Sequence, residues 1–354
     1  MSGTSNWPSD TGRGCGSSGA KPVEEEPLLL AVDGGQTATK ALVARLDGTV
    51  VGAGVGGPSD HFHIEGGVEK NRVAIHGAIA AALEAAGAAP DRVDAIGLGL
   101  TGAPTGGEQT PVVHEIVREV VAPRQIVVTP DYVTNLAGAS GGEPGVVLIA
   151  GGGAIGYGIT ADGREGIAGG FGYLLGDEGS AFDIGLRAIA AAARGDDLRG
   201  EPTVLQAIVA AHFDIPTIRQ ISRVVYRAGF SRDRISLLAP KVVQAARDGD
   251  PPAREILSAA GEELALTALG VIRQLFEPGA EVGVYLTGGV FAAGDILLDP
   301  FRATLRAGWP EAEAREPRFP PAVGGLILAA RSLGRAVDGA WLEAVAASLP
   351  AVRA

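Results

Sequence analysis

The sequence predicts an α/β protein of duplicated design, in which two glycine turns face each other. Three observations carry this prediction. An apolar run enters Gly34-Gly35 in LLLAVDGGQTATKALVARLDG (28–48). The same order of features returns in VVLIAGGGAIGYGITADGREGIAGG (146–170), around Gly151-Gly152-Gly153. Between the two, strand and helix patterns alternate.

The first glycine pair fits neither common phosphate motif. A P-loop needs wider glycine spacing followed by Lys and Ser or Thr, and a dinucleotide fingerprint needs a helix directly after the glycines. Here the chain alternates instead, with Thr37, Thr39, Ala41 and Val43 on one side. Asp47-Gly48 is a hairpin turn signal, and 49–51 resumes the strand pattern. The glycines therefore join two strands. Alone, the stretch reads equally well as an ordinary hairpin. The second copy, closed by Asp162-Gly163, is what implies a pair of phosphate turns.

The elements between and after the copies follow in order. Residues 71–87 form an Ala-rich amphipathic helix, and 93–104 a buried strand running into a Gly-rich loop. Residues 108–121 have helical spacing through Val112, Val113, Ile116 and Val120. A strand over 125–131 leads into a small-residue helix at 133–140. This alternation implies a sheet covered on its faces. Beyond the second hairpin the pattern turns helical, over 180–194, 202–213, 215–228, 234–247 and 251–276, the last with Pro at its start. EVGVYLTGGVFAAGD (281–295) is a buried strand entering Gly288-Gly289. PPAVGGLILAARSLG (320–334) is a small-residue helix whose Gly324-Gly325 allows close backbone packing.

Composition narrows the functional classes. The chain has 354 residues, enough for two domains, and a net charge of −12. With no long basic run, nucleic acid and anionic membrane surfaces are excluded as partners. No apolar stretch is long enough to span a bilayer, and the first 26 residues lack a signal-peptide core. They read as a disordered Gly/Ser/Pro-rich tail, and the chain as cytoplasmic. The single cysteine, Cys15, lies in that tail, so a disulfide or a cysteine-ligated cluster within one chain is excluded.

Taken together, DGGQTATK, GPSDHF, LGLTGAP, TPDYVTNLAGA, IAGGGAIGYG, GGFGYLLGDEGS, LTGGVF and PAVGGLILA come in one order over roughly 28–330. In this the sequence resembles the actin-like sugar kinase and ATPase superfamily, and within it the N-acetylglucosamine kinase and benzoyl-CoA-reductase-activator ATPase group. The resemblance implies two ribonuclease-H-like domains with a cleft between them. The boundaries it implies are a tail over 1–26, an N-terminal domain over 27–136, a C-terminal domain with a helical insertion over 137–330, and a helical segment over 331–354 packing back on the N-terminal domain.

The resemblance also implies roles. Gly34, Gly35, Gln36 and Thr37 hold the β- and γ-phosphates of ATP as an anion nest, with Lys40 adding charge or standing solvated on its strand. Asp33 orients waters on Mg2+, a cation that keeps most of its waters and needs only one or two carboxylates. Gly151, Gly152 and Gly153 form the second phosphate turn, and Gly288-Gly289 faces the adenosine. Asp131, at a strand end, is the base for a sugar hydroxyl, and its position also suits a helix N-cap. Asp177 and Glu178 accept hydrogen bonds from the sugar, or belong to the acidic start of a helix at Ser180. Asp60 and His61 line the sugar side or occupy an exposed turn.

The function so implied is an ATP-dependent kinase acting on the 6-hydroxyl of glucosamine, as a cytoplasmic homodimer. The alternatives are an N-acetylglucosamine or other hexose kinase, an activator ATPase, or a non-catalytic regulator. An activator ATPase needs cluster-binding cysteines outside the tail, and none exists. A regulator needs a DNA-binding segment or basic patch, and retains Asp33, Asp131 and Asp177 without use. Glucosamine is preferred over its N-acetylated form on two departures from the kinase pattern. Gly152-Gly153-Ala154 lacks the hydroxyls usual in the second turn, and Asp60 replaces a neutral Asn.

Overall fold

The computed structural model describes residues 26–35, 37–102 and 110–349. The tail with Cys15, Gln36 of the first turn, and the loop at 103–109 lie outside the described residues.

Strands β1 (Leu28–Gly34), β2 (Thr39–Arg45) and β3 (Val50–Gly56) form an antiparallel meander. Helix α1 (Gly67–Ala86) leads to β4 (Val93–Leu100), and α2 (Thr110–Arg118) to β5 (Gln125–Pro130). Both later strands join in parallel, giving the order β3-β2-β1-β4-β5. Helix α3 (Asp131–Ser140) then carries the chain to a second meander, β6 (Gly145–Ala150), β7 (Ala154–Ile159) and β8 (Glu165–Gly169).

Six helices follow: α4 (Ala181–Asp196), α5 (Leu205–Phe213), α6 (Ile221–Val225), α7 (Asp233–Ser236), α8 (Ala239–Arg247) and α9 (Pro251–Leu275). Then come β9 (Val282–Thr287), α10 (Asp295–Gly308) and β10 (Ala312–Arg315), which complete the sheet order β10-β9-β6-β7-β8. Strand for strand the two sheets share one topology: a central strand with a hairpin on one flank and two parallel strands on the other. The chain therefore has the α/β fold of two five-stranded mixed sheets that the repeated glycine hairpins predict. Helices α11 (Pro321–Ser332) and α12 (Gly339–Ser348) end the described chain.

Small residues set the distances between layers. In β3, a side chain at Gly52, Gly54 or Gly56 would strike the backbone of α1 at Ala82 or Ala74. The Ala-rich helix therefore rests directly on the strand. Helix α11 crosses α3 in the same way. A Cβ on Gly138 would come 2.6 Å from the Pro320 carbonyl oxygen, and one on Gly324 would strike Thr134. Gly324-Gly325 is thus buried against α3, β1 and β4, the close backbone packing that the glycine pair allows. Helix α12 places Trp341, Leu342 and Val345 in one core with Leu29, Ala44 and Val50 of the first sheet. The Trp341 indole N–H donates to the Leu46 carbonyl at 3.2 Å.

Two predicted helices break. The span 215–228 holds a 3-10 turn at Ile218–Gln220 and the five-residue α6. The span 234–247 divides into α7 and α8, with Pro240 in the first turn of α8, where its missing N–H costs nothing. Among the described residues, no helix is long and apolar enough to cross a membrane.

Candidate active site

The first glycine turn is clamped by its carbonyls. Ser59 donates its backbone N–H and its hydroxyl to the Gly35 carbonyl, each at 3.0 Å. Thr101 donates its N–H to the Gly34 carbonyl at 3.1 Å. The N–H of Gly35 closes the turn onto Ala38 O at 3.2 Å, so this donor is already engaged, while Thr37 stands exposed.

Asp131 begins α3 directly after β5. The N-cap position belongs to Pro130, so Asp131 is not the cap that its place before the helix allows. Its Oδ2 instead accepts from the Thr101 hydroxyl at 2.9 Å, and that hydroxyl also lies 3.0 Å from Gly34 O. Burial pushes the Asp131 carboxyl up; the Thr101 bond, the amides at the helix start and the nearby His61 pull it partly back. Asp33, at the end of β1, is pushed up to about 7, mainly by burial, then by the charge of Asp131, with Lys40 opposing. The two carboxylates share one site and repel each other.

The second turn is held by the start of α4 and by the loop after β8. Gly151 N–H closes onto Gly153 O at 2.9 Å, and Ala181 N–H at the start of α4 donates to Gly151 O at 2.8 Å. Asp177 accepts the Ala154 N–H at 3.1 Å, and a Cβ on Gly153 would sit 2.9 Å from its Oδ2. Asp177 is buried and has a left-handed φ of 61°. A non-glycine residue keeps that conformation only where surrounding contacts over-determine it. Burial raises its pKa first, the Ala154 amide and Arg232 lower it, and Glu178 raises it. The helix cap expected in this segment is supplied by Ser180, which accepts from Asp183 N–H at 3.2 Å. Glu178 is exposed.

Gly288 has φ 106°, and any side chain there would strike the Ala150 carbonyl. This seats the end of β9 against the end of β6, beside the second turn. Two cavities meet at this point. One of about 750 Å³ is lined by Asp33, Lys40, Asn135, Thr287, Gly288 and Arg318, with residues from both sheets. The other, about 450 Å³, is apolar and runs from Gly151 and Gly289 to α7 and α8.

On the opposite flank, Asp60 is engaged within its own loop. Its Oδ2 pairs with Lys70 Nζ at 2.7 Å, its Oδ1 accepts the His61 N–H at 2.9 Å, and Asn71 holds its backbone on both sides. Together these contacts anchor the loop to α1. His61 packs its ring on Gly102 and His63, close enough to Asp131 to act on its charge. Residues to which the sequence reading gives no role complete the site: Ser59, Thr101, Asn135 and Thr287, which lie inside its motifs, and Arg318, which does not. Thr101 belongs to the motif LGLTGAP, and its hydroxyl directly after a buried strand is the one signal that could have found it.

No group of three or more His, Cys, Asp or Glu that could hold a metal occurs among the described residues. The donors present do fit Mg2+: Asp33 and Asp131 are half-buried carboxylates that repel each other and so favour a nearby cation, and a hydrated hard ion needs no more protein oxygens than that.

A two-domain fold of this topology, with paired glycine turns and carboxylates at the cleft, defines the actin-like sugar-kinase class. The chain belongs to the BadF/BadG/BcrA/BcrD ATPase family, whose model matches residues 30–329. It is 30% identical to the N-acetylmuramic acid/N-acetylglucosamine kinase of Clostridium acetobutylicum over 85% of this chain and 97% of that protein. It is also 30% identical to a glucosamine kinase of Vibrio cholerae, over 68% and 79% of the two chains. A solved structure from Chromobacterium violaceum, a candidate N-acetylglucosamine kinase, aligns with TM-score 0.69 and 30% identity over 86% of this chain and 99% of that one.

Proposed function

We propose that this protein is an ATP-dependent kinase that phosphorylates the 6-hydroxyl of an amino sugar of the glucosamine type. The observation that carries the reading is Thr101, whose backbone N–H holds the Gly34 carbonyl of the first glycine turn while its hydroxyl donates to Asp131 Oδ2. The base and the phosphate cradle are thereby one rigid unit. Catalysis of phosphoryl transfer is mostly positioning and charge stabilisation, so such coupling is what the chemistry needs.

In the proposed step the sugar O6 attacks the γ-phosphorus and its proton passes to Asp131. The bond from the γ-phosphorus to the β-γ bridging oxygen breaks, and ADP leaves. Burial raises the basicity of Asp131 and so improves it as a proton acceptor. The two glycine turns flank the phosphates; Lys40 adds positive charge from β2, and Gly288-Gly289 leads the adenosine into the apolar cavity. Asp33 would hold Mg2+ through water, and the ion when bound neutralises charge on the β- and γ-oxygens. Asp177 supports the second turn, and Glu178, Asp60 and His61 stand on the acceptor side. The homodimer and the cytoplasmic setting that the resemblance implies belong to the same proposal; a sedimentation coefficient of a monomer would remove the former.

The acceptor has a second reading. Asp60 is neutralised by Lys70. An ammonium at C2 of glucosamine would therefore have to displace a lysine, which favours a neutral acetamide there. The two named kinase relatives stand on either side of this choice. A coupled assay across glucosamine, N-acetylglucosamine, N-acetylmuramic acid and glucose ranks them. Absence of phosphoryl transfer to every one would overturn the kinase reading.

A further inference from the structure

Helix α3, which begins with Asp131, is held from two sides. Toward the first sheet the approach is close: a Cβ on Gly99 of β4 would strike the Thr134 side chain, and one on Gly324 of α11 would strike the Thr134 carbonyl. Toward the second sheet the hold is made by side chains. Leu136 and Ala139 share one core with Val147, Tyr157 and Tyr285 from β6, β7 and β9. Positions 132, 136 and 139 lie on one helix face, so Tyr132 extends this contact to the start of the helix, beside Asp131. Its ring meets the Tyr157 ring with centroids 4.8 Å apart and planes inclined by 38°.

Tyr157 has little freedom to shift. Its side chain is buried, and α9 rests on the opposite face of β7. A Cβ on Gly156 or Gly158, the residues on either side of Tyr157, would come 3.0 or 2.7 Å from the Val271 side chain. The same strand begins at Ala154, whose N–H Asp177 accepts at 3.1 Å. The second glycine turn and Tyr157 therefore ride on one short strand, about 10 Å apart at the usual rise per residue. A continuous path follows. It runs from Asp177 along β7 to Tyr157, across to Tyr132 and Asp131, and through Thr101 to the first turn.

We propose that Tyr157 is a positioning residue for phosphoryl transfer. By seating the Tyr132 ring it fixes the start of α3, and with it the Asp131 carboxylate, relative to the second glycine turn. The inference rests on Asp131 as the base of the proposed function. The ring faces carry the effect, because an aromatic pair prefers particular offsets and tilts, which aliphatic contact does not impose. A misplacement of about 1 Å at a reacting group costs about 10² in rate.

The test is Tyr157→Leu and Tyr132→Leu, each made in the parent and in the Asp131→Asn protein. In the parent, kcat should fall by up to about 10²-fold with KM for ATP unchanged, and Tyr157→Phe, which keeps the ring, should restore it. In the Asp131→Asn protein neither substitution should lower kcat further, since the carboxylate they position is gone. An equal fold-loss in both backgrounds would show that the rings serve only the fold, and overturns the proposal; so does parental kcat in both Leu variants. Tyr132 is half-buried, so its variant decides the matter even if Tyr157→Leu does not fold. If the parent phosphorylates no sugar, the kinase reading fails by itself, and hydrogen exchange judges the coupling. ADP should then slow the amides of 134–138 in the parent and not in the Leu variants. Equal slowing in parent and variants, or none in the parent, overturns the coupling as well.

Discussion

The two glycine turns sit at equivalent points of two sheets with the same topology, yet they are built differently. The turn between β1 and β2 is held by the N–H and hydroxyl of Ser59 and by the N–H of Thr101, and the Thr101 hydroxyl reaches Asp131. The turn between β6 and β7 is held by the α4 backbone and by a buried carboxylate, Asp177, in a strained conformation. A duplicated fold thus places two glycine turns at equivalent points, and the side chains behind them differ in role. The first turn is linked through Thr101 to the proposed base. The second is braced by Asp177 and the start of α4.

Asp131→Asn should give the largest effect: a loss of about 10²–10⁴ in kcat with nucleotide affinity retained. Turnover near that of the parent would place the base away from the first turn and end the proposed difference in role. Next comes Asp177→Ala, which frees the Ala154 amide and lets the second turn drift. A misplacement of about 1 Å costs about 10² in rate. Asp177→Asn keeps an acceptor and tolerates the left-handed backbone, so it should fold normally. If it matches the Ala variant in both thermal stability and rate, the carboxylate acts by charge and not as a brace.

Among the glycines of the second turn, Gly153 is the one whose Cβ would press on Asp177, whereas Gly151 and Gly152 have open space. Gly153→Ala should therefore lower Tm, and Gly152→Ala should leave Tm unchanged while raising KM for the nucleotide. Equal Tm for the two variants would show that Asp177 does not constrain this turn.

The smallest effect concerns pH. Asp33 has a folded pKa near 7 against an ordinary value of 3.8, so the unfolded chain gives up its proton first as pH rises. The stability that protonated Asp33 contributes is complete below about pH 4 and disappears as pH rises through about 7. With divalent cations chelated, Asp33→Asn should be as stable as the parent near pH 4 and more stable near pH 8. Parallel stability curves across this window would mean that the carboxylate is not strained by burial and by Asp131.

Features that rest on neighbours a few residues apart are legible in the chain alone. Period-two alternation, Asp-Gly turns and glycine pairs at strand ends are local chemistry, and they suffice to read both hairpins, their equivalence and the α/β class. Asp131 at a strand end and Asp177 before a helix are legible for the same reason. Helix lengths over 215–247 are not, because apolar spacing persists through Gly229 and Pro240 and does not reveal where a turn relaxes. Contacts between distant residues are settled only by the folded arrangement. Thr101 meets Asp131 only because β4 and β5 are adjacent parallel strands. Asp60 is committed to Lys70 because α1 folds back beside its loop. Asp177 belongs to Ala154 because the loop after β8 returns to the second turn. Each of these pairs an acid with one donor out of many, and that choice depends on sheet order and on how closely glycine-lined layers approach, which no local pattern encodes.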